Sequence, residues 1–208
     1  IDLFKKVITD SIITLKSGNQ CIPVVLNALN GLACAYKSAE RLGDATTLFE
    51  AVVDERTRIL GRTHLDTLIS RNNLAGAYAS AGCLDKALKL YKEVIYDRID
   101  SLDPNHPALL ASYNGLASTY QNAGYIAKPI GLFKEVVDER TRILGRTHLD
   151  TLASRNNLAG AYASAGCLNK AITLLEAVVT DSKCVLGHNH VQTLAFRNNL
   201  AGAYALAG

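Results

Sequence analysis

Hydrophobic residues recur along this chain at intervals of three and four, and the pattern is interrupted at regular places. Leu68, Leu74 and Tyr78 fall at helical spacing, and Gly82 then ends the run, which predicts a first helix, helix A. Apolar residues recur in the same way from residue 84 to about Arg98, which predicts a second amphipathic helix, helix B. The two helices form one hairpin.

The sequence of this hairpin repeats along the chain with a period of 42 residues. A Leu-Ala-x-x-Tyr core occurs five times, with its tyrosines at Tyr36, Tyr78, Tyr120, Tyr162 and Tyr204. A hairpin of this size cannot bury its apolar stripe alone, so its neighbours must stack on it. The pattern predicts an all-α fold, a right-handed superhelical α-solenoid of stacked antiparallel helical hairpins with about ten helices and no sheet.

The predicted organisation is a single array over residues 1–208. It comprises a partial repeat with helix B only over 1–17, full repeats over 22–60, 64–102, 106–144 and 148–186, and a partial repeat with helix A only over 190–208. The loop from Gly18 to Cys21 holds about three extra residues. The chain is expected to be a piece of a longer protein.

Two repeats depart from the pattern at positions that determine where a helix begins or ends. Glu40 stands where the other repeats have the helix-ending glycine. Pro129 replaces the small alanine of helix B, and proline is tolerated only in the first turn of a helix. We therefore predict that the helix after Gly124 begins late, near Ala127 or Lys128, or is locally bent.

The composition of the chain argues against some classes of function, among them nucleic-acid and membrane binding. A net charge of +3, from 22 basic and 19 acidic residues without a basic run, gives no reason to expect nucleic-acid or membrane binding. The five cysteines are an odd count without metal-ligand spacing, which favours reduced thiols, and the N-terminus lacks the layout of a signal peptide. These features predict a cytoplasmic chain.

Catalytic chemistry has few candidates. His64 and His148 form His-x-Asp pairs, and His188 pairs with His190, but a zinc site needs three or four convergent ligands. The favoured interpretation is that these residues cap helix A or bond the turn backbone, and Pro107 suits a first helical position. No nucleophile elbow, zinc-protease or phosphate-loop motif occurs. We expect no enzyme, no metal and no cofactor.

A mixed charge run recurs in two helices B, as residues 54–58 and 138–142. Opposite charges within one helical turn favour a solvated face with weak intrahelical pairs, formed by Asp54, Glu55, Arg56 and Arg58 and by Asp138, Glu139, Arg140 and Arg142. A docking patch is the alternative.

The repeated phrase resembles a known family. Leu-Gly-Arg-Thr-His-Leu-Asp-Thr-Leu over residues 144–152, with Asn-Asn-Leu-Ala from Asn156, is similar to the 42-residue tetratricopeptide repeat of kinesin light chains and of bacterial and fungal signalling proteins. The resemblance implies a protein-interaction scaffold whose helices A line a concave groove. It also implies a place in a larger signalling protein, as a sensor or oligomerisation region.

That resemblance places a ladder of amides in the groove, because the residues before the Leu-Ala pair point into it. They are Asn30, Asn72, Asn73, Asn114, Asn156, Asn157, Asn198 and Asn199, with Lys37 and Gln121 one or two turns onward. An amide both donates and accepts, which suits the main chain of an extended peptide. The alternative is that the same amides tie neighbouring repeats together, and both roles stay open.

Three arginines precede these asparagines, namely Arg71, Arg155 and Arg197. They are candidates to pair with carboxylates on a ligand, or equally with an acidic residue of a neighbouring helix B. Because the groove is expected to be nearly neutral, a neutral or mildly acidic extended segment is the expected ligand.

A second hypothesis makes the array a structural module that stacks head-to-tail through its open ends. Leu200 and Tyr204 at one end would meet Leu3, Phe4, Val7 and Ile8 of another copy. RNA reading is disfavoured, because the repeated tyrosines lie at packing positions.

Overall fold

The computed structural model describes residues 22–99 and 106–208. These residues form nine α-helices and no strand: α1 (Ile22–Ser38), α2 (Leu42–Leu60), α3 (Leu65–Ser80), α4 (Leu84–Ile99), α5 (Pro107–Asn122), α6 (Ala127–Leu144), α7 (Leu149–Ser164), α8 (Leu168–Leu186) and α9 (Val191–Ala207). The chain divides into two compact units, Ile1–Ser101 and Leu102–Gly208. The all-α class is confirmed, whereas the tenth predicted helix, over residues 1–17, and the loop from Gly18 to Cys21 lie outside the described residues.

The first unit contains two hairpins, α1 with α2 and α3 with α4, and α2 also packs against α3. Short connections force each pair of consecutive helices to lie antiparallel. Phe49, Leu48 and Val52 of α2 are buried, and Leu26 of α1 and Leu74 of α3 close over them. One apolar stripe of α2 therefore serves both neighbouring helices A.

The second unit repeats this arrangement with the hairpins α5–α6 and α7–α8 and the further helix A, α9. Phe133 of α6 packs between Ala117 of α5 and Leu158 of α7. Phe196 of α9 packs against Leu152 of α7 and a pair of valines in α8. Each helix B is again shared by two helices A.

Residues in the left-handed region end the helices A. Gly82, Gly124 and Gly166 have φ values of 75°, 80° and 73°, as the pattern predicts. Glu40 takes the same conformation with φ 58°, the only non-glycine residue with positive φ in the described part of the chain. A side chain in this region is strained, so the first hairpin keeps its turn at an energetic cost.

Proline shifts the start of one helix B. α4 and α8 begin two residues after their turn glycines, whereas α6 begins three residues after Gly124, at Ala127. Pro129 is therefore the third residue of α6, where its missing N–H breaks no intrahelical bond, and its side chain is buried. The predicted late start is confirmed.

Histidines cap four helices A. His64, His106, His148 and His190 each accept, through Nδ1, a hydrogen bond of 3.2 Å from the backbone N–H two residues onward. Each has an extended backbone, which is the usual geometry of a capping residue. Pro107 follows the second of them at the first helical position. The capping interpretation is confirmed for His64, His148 and His190, whereas His188 lies in the turn two residues before the capping His190.

Candidate functional site

A groove lies between two helices A of the second unit, α7 and α9, and encloses about 630 Å³. We call it the A-helix groove. The polar or small side chains along it include Gln121, Asn156, Asn157, Gly160, Ala163, Asn198, Asn199 and Gly202. The asparagines and Gln121 are positions that the resemblance assigns to the groove, and they lie on one surface together with the small residues.

The asparagines of neighbouring helices A also bond one another. Asn199 Nδ2 donates to Asn156 Oδ1 at 2.9 Å, and Asn157 Nδ2 lies 3.5 Å from Asn114 Oδ1. Each such bond uses one of the two amide hydrogens of the donor and one lone pair of the acceptor. The remaining donors and acceptors of an amide are still able to serve a ligand, so the two predicted roles are compatible.

The floor of the groove is formed by residues without bulk. A Cβ placed on Gly160 would meet only Gln121 Nε2, at 3.8 Å, and one placed on Gly202 would meet no atom within 4 Å. Gln121 reaches across from α5 and donates to Ser164 Oγ at 3.0 Å. Larger residues at the two glycines would fill the groove without clashing with the backbone.

In the first unit the corresponding asparagines lie on α1 and α3. Asn30 Oδ1 accepts a hydrogen bond of 3.2 Å from Ser70 Oγ, and Asn72 and Asn73 are half-buried. A Cβ on Gly76 would lie 3.6 Å from Lys37 Nζ, so this lysine covers the place that Gln121 covers in the second unit.

Two of the three candidate arginines lie away from the asparagines. Arg71 is 4% exposed and pairs with Asp97 and Glu93 of α4. Arg155 is 5% exposed and pairs with Asp181 of α8 at 2.6 Å. The geometry gives them the second predicted role, pairing with a helix B acid, so we leave both out of the groove.

The third candidate arginine, Arg197 of α9, is exposed.

These ion pairs lower the pKa of the two aspartates, Asp97 and Asp181. Burial opposes the charge of Asp97 and Asp181, but the hydrogen bonds and charges of their arginines outweigh it, and the pKa of each carboxyl is held below its ordinary value. Arg71 and Arg62 act on Asp97, and Arg155 and Arg146 act on Asp181. Both carboxylates are therefore structural anions of helix B.

The prediction of a solvated face for the charge run is wrong for three of its members, Glu55, Arg56 and Arg140, and Glu55 is 9% exposed. Arg56 and Arg140 are 3% and 9% exposed, and each donates to a backbone carbonyl and to a serine hydroxyl of the next helix A. The long side chain reaches back over the helix B–helix A turn, which charge patterning alone does not reveal. The intrahelical pairs Glu55–Arg58 and Glu139–Arg142 are formed as predicted.

A sequence signal for this buried contact exists in the repeat alignment. The helix B position is arginine at 56, 98 and 140 but serine at 182, and the helix A position 14 residues later is serine at 70, 112 and 154 but phenylalanine at 196. The repeat with the smaller residue in helix B has the larger residue in the following helix A. Such an exchange of volume indicates two side chains in contact.

The described residues contain no cluster of three or more histidine, cysteine, aspartate or glutamate side chains suited to a metal. The four cysteines in the described ranges are free. Among the same helices, none combines the length and apolarity needed to cross a bilayer.

Comparison with known proteins agrees with the repeat pattern. Tetratricopeptide repeat models match residues 24–96 and 72–127, and further ones match residues 109–150 and 151–192. No curated protein matches the chain. Tetratricopeptide repeats are generally protein–protein interaction scaffolds.

Solved structures of the same architecture are similar to the chain. A Podosopora anserina protein assigned as a kinesin light chain, with nearly identical TPR-like repeats, is 33% identical over 89% of this chain and 88% of its own, with a TM-score of 0.75. BtubC (BKLC) from P. vanneervenii is 17% identical over 100% of this chain and 82% of its own, with a TM-score of 0.76, and so supports the fold alone. The 42-residue period, the helical hairpins and these matches together show that the chain belongs to the tetratricopeptide repeat family, in its kinesin-light-chain-like form.

Proposed function

We propose that the chain is a non-enzymatic scaffold that binds an extended segment of a partner protein in the A-helix groove. The observation that carries this proposal is the groove of about 630 Å³ with asparagine amides from α7 and α9 over glycines. The amides supply donors and acceptors for a peptide backbone, and the glycines leave room for it.

The charge of the groove indicates the kind of segment. Among the described residues that line it, none is charged, and the apolar ones include Leu175 and Leu206. A ligand with several acidic or basic side chains would lose hydration there without gaining ion pairs. The proposed ligand is therefore an extended, largely uncharged segment.

Peptides selected from an unbiased display library against the full chain test the proposal. The selected peptides are titrated into the protein, into a variant with Asn198→Leu and Asn199→Leu, and into Asn189→Leu as a matched control. Asn189 is exposed in the turn before α9 and does not line the groove.

We expect the double variant to bind at least about tenfold more weakly, since two amides that hold the backbone are lost. The control should bind within about twofold of the unaltered protein. Equal binding by all three proteins would contradict the groove assignment.

Self-association is a second candidate function, favoured by the exposed apolar side chains of α9. Val191 is 71% exposed, and Leu194 and Tyr204, which do not line the A-helix groove, are 46% and 47% exposed. The proposed occupant of this face is another copy of the chain. Sedimentation velocity over a wide concentration range should show a mass that rises with concentration, and a constant monomer mass would contradict this function.

A further inference from the structure

A second cavity of the second unit, of about 670 Å³, lies between the two helices B, α6 and α8, with α7 as its floor. We call it the B-helix cavity. Its wall is largely apolar, formed by side chains that include Val137, Leu158, Leu174 and Ala177. It uses a different stripe of α7 from the A-helix groove, and its volume falls within the range of small-molecule sites.

Cations gather at one end of this cavity. Arg155 and Arg146 both bond the same carboxylate oxygen, Asp181 Oδ2, at 2.6 and 2.9 Å. Lys170 lines the cavity near the other end of α8, eleven residues before Asp181, with Nζ 5.7 Å from the centre of the Tyr162 ring. Two guanidinium groups therefore share a single carboxylate, which leaves an excess of positive charge beside an apolar wall.

The first unit shows what this arrangement looks like when it is complete. Arg71 bonds Asp97 through Nη1 and Glu93 through Nη2, the latter at 3.1 Å, and Arg62 also pairs with both acids. Two guanidinium groups thus meet two carboxylates.

In the second unit, residue 177 stands 84 positions after Glu93 and is alanine. The second carboxylate is missing from the sequence, and Ala177 lines the cavity in its place. Among the described residues, Arg155 has an ion pair with Asp181 alone. Arg155 is 5% exposed, so it is a buried cation in a position where its counterpart holds two carboxylates.

We infer that the B-helix cavity binds a small aliphatic carboxylic acid. Its carboxylate takes the place that Glu93 occupies in the first unit, beside Arg155 and Arg146, and its hydrocarbon chain lies against Val137, Leu158 and Leu174. A carboxylate held by two guanidinium groups makes charge-assisted hydrogen bonds, which are stronger than neutral ones. The hydrocarbon chain is bound by the removal of apolar surface from water.

Decanoate, titrated calorimetrically into the full chain below its aggregation concentration, tests this inference. Decanol and decylamine serve as the neutral and cationic ligands of equal length. We expect decanoate to bind at least about tenfold more tightly than decanol, since a hydrogen bond between charged groups is stronger than one to a neutral hydroxyl. Amide NMR shifts should be confined to α6, α7 and α8 around Thr173 and Ala177, and Gly202 of the A-helix groove should be unchanged.

Two variants separate charge from volume. Ala177→Glu supplies the missing carboxylate from the chain itself and should weaken decanoate binding at least about tenfold relative to Ala177→Gln, which fills the same space without charge. Both variants should keep the thermal unfolding midpoint of the parent or raise it, which shows that they fold. They leave the peptide groove intact, so the proposed function is tested independently.

Failure of decanoate to bind would overturn the inference. Equal binding of decanoate and decanol, or equal affinity of the glutamate and glutamine variants, would also overturn it, since either result removes the role of the arginines. A peptide with one glutamate among leucines that shifts Thr173 and Ala177 when decanoate does not would replace the small acid by a protein partner and so contradict it.

Discussion

Arg140 of α6 donates through Nη1 to Ser154 Oγ of α7 at 2.6 Å, and both side chains are withdrawn from water. The same guanidinium nitrogen donates to the Asp150 carbonyl at 3.0 Å. The contact joins the second helix of one hairpin to the first helix of the next. It is repeated by Arg56 and Ser70 in the first unit.

Exchanging this pair for its counterpart in the last repeat should reveal their coupling. Arg140→Ser alone leaves a cavity and Ser154→Phe alone crowds a buried arginine, so each should lower the free energy of unfolding by about 1–3 kcal/mol. The double variant reproduces Ser182 and Phe196, which occupy these positions in α8 and α9. It should lose less than the sum by more than about 1 kcal/mol in chemical denaturation. Strict additivity would show that the two positions do not interact.

Replacing Glu40 by glycine should stabilise the first hairpin. Its φ of 58° is strained for a side chain, and the repeats that carry glycine there have no such strain. Because glycine also gains entropy in the unfolded chain, we expect a net gain of up to about 1 kcal/mol in denaturant melts. Gly166→Ala, at φ 73°, is the reverse control and should lose about 1 kcal/mol. A loss of stability on Glu40→Gly would contradict the strain.

Loss of a histidine that caps a helix should lower stability more than loss of an exposed histidine in a turn. His148→Ala removes the acceptor of the Asp150 N–H bond and should destabilise the protein by about 0.5–2 kcal/mol. His188, exposed in the turn before α9, gives the matched control His188→Ala, which should change stability by less than about 0.5 kcal/mol. Equal effects in thermal melts would show that the Nδ1 bond contributes nothing.

The ion pair of Asp181 predicts a dependence of stability on pH. Its pKa is lower in the folded state than the ordinary 3.8, so the unfolded chain binds the proton more readily. The contribution of this group is therefore fully present above about pH 5 and is lost as the pH falls through the lowered folded value. Asp181→Asn should lower stability at neutral pH and flatten the acid limb of the unfolding curve. Asp138→Asn, at an exposed position of α6, should leave that limb unchanged.

Much of the fold follows from the repeat itself. The 42-residue period and the helix-ending glycines place the described helices, and Pro129 places the late start of α6, because these features act locally on the backbone. The burial of Arg56 and Arg140 does not follow in this way. It depends on a contact between residues 14 positions apart, which a count of charges along one helix cannot contain.

Part of the candidate site also follows from the sequence, and part depends on the fold. The asparagines that line the A-helix groove lie on the same side of their helices, because the position in the helix decides which way a side chain faces. The B-helix cavity depends on Ala177 at the position of Glu93, a difference that is visible in the sequence. The consequence of this difference cannot be predicted from the sequence, because only the fold shows that an acid at position 177 would pair with Arg155 beside Asp181.

The most direct test of the scaffold is the affinity of a selected peptide for Gly160→Leu compared with Gly131→Leu. Both changes put leucine in place of a helical glycine. Gly160 lines the A-helix groove, whereas Gly131 of α6 does not, and a Cβ on Gly131 would meet no atom within 4 Å. Peptide binding should weaken at least about tenfold in the first variant and stay within about twofold of the parent in the second. Undiminished binding to Gly160→Leu would contradict the account.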